Sequence, residues 1–279
     1  MTASERQRIR MQGRGESMGR RALGGVVLLA MALSAEAGGL VPTPSEARTA
    51  AGGAGAAIAA RHGPAQILSR RHGTAVSFNW AGNAASGTTF TDAKGTWTQP
   101  AADCSKNPTQ ISSFWVGIDG FTSNTVEQIG TDADCVHGRP FYFAWWEMFP
   151  APLNVIPLSV RPGDTVSADV STSGTAFTLT IAVGTQRFST TQTSASAAKS
   201  SAEWIAEGPS QFLADFNAVS FFDASATGGA SMGTHTGSIT DPAWINDQVV
   251  MVTHSGRIRA QPCCLLNDGT GFMVDWLHK

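Results

Sequence analysis

From Ala75 onward the chain is a succession of short runs in which apolar and polar residues alternate, broken by Gly, Pro, Asn and Ser. In the run AFTLTIAV, Phe177, Leu179 and Ile181 alternate with Thr178, Thr180 and Ala182, the period of two expected of a strand buried on one face. The same texture recurs in VSFNWAG, TFTDAKGTWTQP, SSFWVGIDG, TVEQIGTD, FYFAWWEMFP, TVSADVS, QRFSTTQT, AEWIAE, AVSFFDASA, QVVMVTHS and GFMVDWL. Arg161-Pro162-Gly163-Asp164 joins a fixed φ at Pro to a permissive Gly and predicts a turn before a strand at Thr165. About a dozen strands without a convincing helix predict one all-β domain over residues 75–279. The expected architecture is a two-sheet antiparallel β-sandwich, jelly-roll or concanavalin-like, with a closed barrel as the other architecture. No fixed-period repeat suggests a propeller or solenoid.

Composition agrees with this picture and adds an asymmetry. Only 14% of residues are charged, and 14 Phe and 8 Trp accompany a single Tyr. That mixture suits strands and turns better than amphipathic helices. Residues 1–74 hold ten Arg, no Lys and four Glu, a balance of +6, whereas residues 75–279 carry a balance of −8. An acidic body lacks the basic surface that nucleic acid requires, so nucleic acid is not an expected partner.

The basic part reads as two segments. Arginines at 6, 8, 10, 14, 20 and 21 precede an apolar run from Ala22 to Leu33, and Ala35-Glu36-Ala37 supplies small residues for cleavage. Residues 1–37 therefore read as a secretory signal peptide, with Arg20-Arg21 allowing a twin-arginine variant. An apolar run of about twelve residues is short of the ~20 needed to span a bilayer, so no membrane association is expected after removal of the signal. Residues 38–74, rich in Ala, Gly, Pro and Arg, read as a pro-segment or disordered linker. Their positive charge against an acidic body suggests electrostatic masking, with Arg70-Arg71 as a processing point; a plain spacer is the other reading.

The densest chemistry lies between Phe114 and Asp132, FWVGIDGFTSNTVEQIGTD. It reads as a strand, a turn through Gly117, Asp119 and Gly120, and a second strand carrying Gln128. Cys104 and Cys135 bracket it, and a bridge between them would contribute roughly 3–4 kcal/mol in the chain-entropy model. Cys263 and Cys264 are adjacent, which strains a mutual bridge and leaves their partners open. A metal site is the competing reading, but there is no C-x-x-C spacing and only His137 lies close by in sequence, so neither metal nor cofactor is expected.

Familiar catalytic signals are absent or out of context. There is no HExxH, no phosphate-binding glycine loop and no Asp-Thr-Gly. Gly229 to Gly233 spells G-x-S-x-G, but a nucleophile elbow needs a strand before it and a helix after it, so a surface loop is expected. The six His are scattered, and His62 and His72 fall in the segment expected to be lost.

What remains is carboxylates in aromatic company. Residues 75–279 contain four Glu, at 127, 147, 203 and 207. Alternation in AEWIAE puts Glu203, Ile205 and Glu207 on one face and Ala202, Trp204 and Ala206 on the other. If the indole packs between the sheets, Glu203 faces a groove; otherwise these are solvated strand charges, the ordinary fate of Glu.

NWAG at 79–82, FWVGIDG at 114–120, EQIGTD at 127–132, YFAWWEMFP at 142–150 and AEWIAE at 202–207 resemble, in that order, the G1 glutamic peptidases or eqolisins, especially bacterial members. The resemblance implies a sandwich of two curved antiparallel sheets, acid endopeptidase activity on proteins or peptides, and a catalytic Gln/Glu dyad at Gln128 and Glu203. Trp115, Asp119, Trp145 and Glu147 match residues that line the family's cleft, which implies substrate binding or support. Phe143 replaces an Asp of fungal members, and Trp146 and Phe149 stand at other positions of that block that differ from theirs, which bears on subsite preference and pH optimum. The expected product is a secreted, monomeric enzyme. Two other readings of a secreted aromatic-rich sandwich are a glycoside hydrolase using Glu147 and Glu203 and a carbohydrate-binding module.

Overall fold

A computed structural model describes residues 62–106, 109–209, 212–229 and 233–279. All their regular elements are strands: β1 (Ile67–Arg71), β2 (Thr74–Ser77), β3 (Trp80–Ser86), β4 (Phe90–Thr98), β5 (Thr109–Gln110), β6 (Ser113–Ile118), β7 (Val126–Val136), β8 (Arg139–Phe149) and β9 (Asn154–Ile156). They continue as β10 (Thr165–Ser173), β11 (Ala176–Val183), β12 (Gln186–Thr193), β13 (Ser201–Glu207), β14 (Ala218–Gly228), β15 (His235–Ser238), β16 (Ile245–Val252), β17 (Ile258–Cys263) and β18 (Phe272–Trp276). No described helix is long and apolar enough to cross a membrane.

The ladders form two layers, as the alternating pattern predicts. One runs β9-β8-β7-β6-β13-β3-β16, all antiparallel, and continues through a parallel β16–β2 pair to β1. The other runs β12-β11-β10-β4-β14-β18-β17. Short pairing of β17 with β16 joins the layers at one end, so the edge there is hydrogen-bonded rather than open.

Between the layers lies the larger apolar core. Phe114, Val116, Ile118, Ile129, Ala202, Trp204 and Ala206 from the first sheet meet Trp97, Val166, Val170, Phe177, Leu179, Ile181 and Phe221 from the second, all essentially buried. The odd residues of AFTLTIAV are indeed the inward ones. Trp204 also donates its indole N–H to the Lys94 carbonyl at 2.8 Å, tying β13 to β4 across the sandwich. A smaller cluster, Trp80, Ala84, Trp115, Phe121, Val126, Phe143, Trp145 and Ile205, covers the opposite face of the first sheet.

Several local expectations hold and others need correction. Cys104 and Cys135 form the expected disulfide, while Cys263 and Cys264 are not bridged, their sulfurs 2.7 Å apart. The predicted turn at Arg161–Asp164 is present, with Gly163 at φ 87° immediately before β10. Gly117 is not a turn residue: it lies inside β6, and only Asp119 (φ 74°) and Gly120 (φ 102°) have the positive φ that the turn demands. The segment read as a signal peptide and residues 38–61 lie outside the described residues, as do residues 230–232 of the G-x-S-x-G motif. A disordered linker reaching residue 74 does not match the structure, because His62 onward is built into the fold: β1 pairs with β2, and the chain before it packs on the first sheet. Composition misled there, since the ordering groups are backbone hydrogen bonds and scattered side-chain contacts, those of Trp80, Asn79 and Arg70 among them, rather than an apolar periodicity.

Candidate active site

Register decides which side chains share a face. Glu203 pairs with Gly117, Gly117 with Gln128, and Gln128 with Glu147. Directly opposed residues point to the same side of a sheet, so Glu203, Gln128 and Glu147 stand in one row on the face away from the main core. Alternation in AEWIAE is thereby realised: Trp204 goes into the sandwich and Glu203 to the other side.

Glycine makes the row usable. Gln128 and Glu203 lie two strand spacings apart, roughly 10 Å between backbones, and Gly117 between them contributes no side chain. A Cβ there would sit 3.1 Å from the Glu127 carbonyl oxygen and 3.2 Å from the Gln128 Cβ. In the next row on the same face, Ile205, Trp115, Gly130 and Trp145 are opposed, and a Cβ at Gly130 would meet the Phe114 carbonyl oxygen at 2.3 Å and the Trp115 Cβ at 2.5 Å. This second glycine makes room for the Trp115 side chain on that face.

Polar connections define what each group can do. Gln128 donates its Nε2 to Glu147 Oε2 at 2.7 Å, while its Oε1 and both carboxyl oxygens of Glu203 are buried without a hydrogen-bond partner. Three unsatisfied oxygens on one buried face are costly unless something polar meets them, and such sites are where function is sought. Burial pushes the Glu203 carboxyl well above the usual range, the charges of Asp119 and Glu127 add to this, and the nearby Ser201 hydroxyl and Phe121 N–H pull against it. Burial likewise raises Glu147 to about 7, with the Gln128 hydrogen bond opposing, and Glu127 to about 8, with Asp119 adding to it. Both conditions mark a chemically prepared site.

Asp119 serves as an anchor. It is fully buried, and its oxygens accept from Lys199 N (2.6 Å), Ser200 N (2.9 Å), Ser200 Oγ (3.0 Å) and Ser123 Oγ (3.0 Å). These bonds fasten the β6–β7 turn to the segment that leads into Glu203. Trp115 and Trp145 act through their N–H groups as well as their rings, Trp115 donating to Glu207 Oε2 at 3.0 Å and Trp145 to Asp132 Oδ1 at 2.6 Å.

Residues 62–70 run across this face. Trp80 Nε1 donates to the Gly63 carbonyl, Asn79 Nδ2 to the Pro64 carbonyl, and Ala65 N to the Gly120 carbonyl. Arg70 lies over the Phe121 ring and pairs with Asp247 at 2.6 Å. His62 is buried against Trp145, ring centroids 4.4 Å apart, with Nδ1 3.4 Å from Glu207 Oε2 and Nε2 3.6 Å from Asp132 Oδ2. Burial alone would lower its pKa, but the two carboxylates outweigh that and hold it well above the ordinary 6.5. Gln128 and Glu203 are fully buried.

Sequence reasoning brings Gln128, Glu203, Trp115, Asp119, Trp145 and Glu147 together, and all six belong to this region. It did not select His62, Asp132 or Glu207. The available signal for the last two was period-two spacing from Gln128 and Glu203; for His62 there was none. Among the described residues, no group of three or more His, Cys, Asp or Glu side chains is arranged to hold a metal ion.

Comparison with known proteins supplies a family. The sequence model of the Peptidase A4 family matches residues 78–259. No curated protein sequence matches significantly. Among solved structures, scytalidoglutamic peptidase with a peptide-based transition-state analogue is similar at 24% identity and TM-score 0.60, covering 72% of this chain and 98% of its own. SCP-B, an eqolisin in complex with the tripeptide Ala-Ile-His, is similar at 25% identity and TM-score 0.57, with 72% and 98% covered. Aspergilloglutamic peptidase from Aspergillus niger is similar at 25% identity and TM-score 0.50, with 60% and 99% covered.

Proposed function

The chain belongs to the Peptidase A4 family of glutamic peptidases, and on that premise we propose that it is a secreted, monomeric acid endopeptidase in which Gln128 and Glu203 activate a water for peptide hydrolysis. The observation that carries this reading is the register row in which Glu203 and Gln128 flank the bare Gly117. Ionised Glu203 takes a proton from water as the water oxygen attacks the scissile carbonyl, then passes it to the leaving nitrogen as the C–N bond breaks. The Gln128 carbonyl oxygen orients the water. Its Nε2 carries two hydrogens; one is committed to Glu147, and the other is available to the developing oxyanion. A neutral amide beside Glu203 leaves a single titrating base, unlike a pair of carboxylates sharing a proton.

In the intact chain, we read residues 38–74 as a pro-segment that keeps the enzyme latent. Support comes from residues 62–65, whose backbone is bonded to Trp80, Asn79 and Gly120 beside the strands that carry the dyad. Arg70 and Arg71 are exposed and remain the favoured processing point. A carboxyl raised by burial stays protonated and cannot act as base, so uncovering Glu203 would both admit substrate and restore its ionisation.

A glycosidase reading fits less well. Glu147 and Glu203 are three strands apart, roughly 14 Å between backbones, against the separations of about 5–9.5 Å between carboxyl groups that glycosidases use. Glu147 is also bonded to Gln128. Cleavage of a denatured protein at acid pH by the wild type, lost in Glu203→Gln, is the test; unimpaired cleavage by that variant refutes the dyad.

A further inference from the structure

Cys263 and Cys264 stand where β17 ends and the loop to β18 begins, in the layer that does not carry the dyad. Successive side chains of an extended strand point to opposite faces, so adjacent thiols ordinarily diverge. These converge. Cys264 has φ 58°, in the left-handed region that residues other than glycine seldom occupy, and its sulfur lies 2.7 Å from that of Cys263. That separation is closer than two unbonded sulfurs ordinarily come, and still longer than the about 2.05 Å of a disulfide. The surrounding loop imposes the conformation. Leu266 N donates to the Gly271 carbonyl (2.8 Å) and Gly269 N to the Leu266 carbonyl (2.9 Å), while Ile239 N and Ala224 N hold the carbonyls of Gly269 (3.0 Å) and Thr270 (2.9 Å). An unfavourable backbone angle fixed in this way is a sign of a prepared site.

We infer that Cys263 and Cys264 constitute a reversible dithiol–disulfide site, closed to a vicinal bridge by exchange with a low-molecular-weight disulfide and reopened by thiols. The two sulfurs divide the work. Cys264 is exposed, whereas Cys263 is half-buried and donates its S–H to Asp275 Oδ2 at 3.4 Å. Burial, the Cys264 sulfur and the Asp275 carboxylate push the Cys263 thiol up to about 12, so it waits as a thiol while Cys264 meets the oxidant. With oxidised glutathione, the Cys264 thiolate attacks one sulfur of the disulfide. One glutathione thiolate leaves, and it takes up the proton that Cys264 gave to solvent. Cys263 then attacks the Cys264 sulfur, its proton passes to Asp275 and on to the second departing glutathione, and the vicinal bond is made. The two electrons lost by the cysteines reduce one glutathione disulfide to two thiols. Exposure and backbone strain place this bridge among the labile ones, in contrast to Cys104–Cys135, whose second cysteine is fully buried.

The test needs no variant. The folded full chain is treated with dithiothreitol too dilute to open Cys104–Cys135, freed of reductant, exposed to oxidised glutathione, alkylated and digested with trypsin. Peptide 260–279 contains Cys263 and Cys264 and no other cysteine. After oxidation it should be lighter by two hydrogens, without alkyl groups or glutathione, and dilute dithiothreitol should return two alkylatable thiols while Cys104–Cys135 stays closed. In the reduced chain, Cys264 should be alkylated about tenfold or more faster than Cys263, and Asp275→Asn should narrow that ratio by speeding Cys263. Two free thiols after exposure to oxidised glutathione, a glutathione adduct that persists, a bridge to another chain, or closure only once the chain is unfolded overturns the site. Equal alkylation of the two thiols, or a ratio indifferent to Asp275→Asn, overturns the division of roles.

Discussion

Gln128 and Glu203 stand on the two strands that flank β6, opposite the same Gly117, and face the same side of the sheet. Seventy-five residues separate them in sequence, yet one hydrogen-bonded row makes them neighbours across a missing side chain.

Filling that gap should disable the site. In Gly117→Ala the new Cβ meets Trp115 Cζ3 at 3.0 Å, the Glu127 carbonyl oxygen at 3.1 Å and Gln128 Cβ at 3.2 Å. A displacement of Gln128 by a fraction of an ångström to 1 Å is expected to lower kcat by about 10²-fold, with a loss of about 1–3 kcal/mol from overpacking. Peptide hydrolysis together with thermal unfolding checks this, and wild-type turnover would contradict it.

Stability should fall as pH rises. Glu147 at about 7, Glu127 at about 8, Glu203 above its ordinary value and His62 above 6.5 all hold protons more tightly folded than unfolded. The folded state then binds more protons than the unfolded chain from about pH 4.5 upward, and the slope of unfolding free energy with pH is negative. The raised value of Glu147 alone corresponds to about 3 kcal/mol lost between pH 4.5 and 7. In the intact Glu203→Gln chain, the midpoint of thermal unfolding should be highest near the acid end and decline to pH 8, whereas a flat or rising profile would refute the assignment.

Asp119 should matter through position. Asp119→Ala removes the acceptor of four hydrogen bonds and should cost about 3 kcal/mol. It should also raise KM more than it lowers kcat and speed hydrogen exchange across residues 119–125. Unchanged exchange there would show that the anchor is dispensable.

Removing the bridge should loosen the same strand from outside. Cys104→Ser with Cys135→Ser frees a loop of 31 residues' separation and should cost roughly 3–4 kcal/mol, read as a lowered unfolding midpoint with activity retained below it.

Legibility from sequence followed locality. The faces of AEWIAE and AFTLTIAV could be read because period two is a property of consecutive residues, and Trp204 and Phe177 obey it. Gly117 was misread as a turn because glycine beside Asp119 looks the same whether it bends the chain or clears space for two neighbours on other strands. The roles of Asp132 and Glu207 depend on Trp145 and Trp115, and that of His62 depends on partners 70 and 145 positions away in a segment whose composition suggests a spacer. Register, which sequence alone does not specify, supplies the first two, and the path of the chain before β1 supplies the third.

The most direct measurement of the central claim is hydrolysis of a denatured protein at acid pH by Glu203→Gln and by Gln128→Ala, each shown to be folded by its unfolding midpoint. Loss of the general base and of the oxyanion donor should each lower kcat/KM by about 10²–10⁴-fold. Cleavage within tenfold of wild type by either folded variant would contradict the Gln128/Glu203 mechanism.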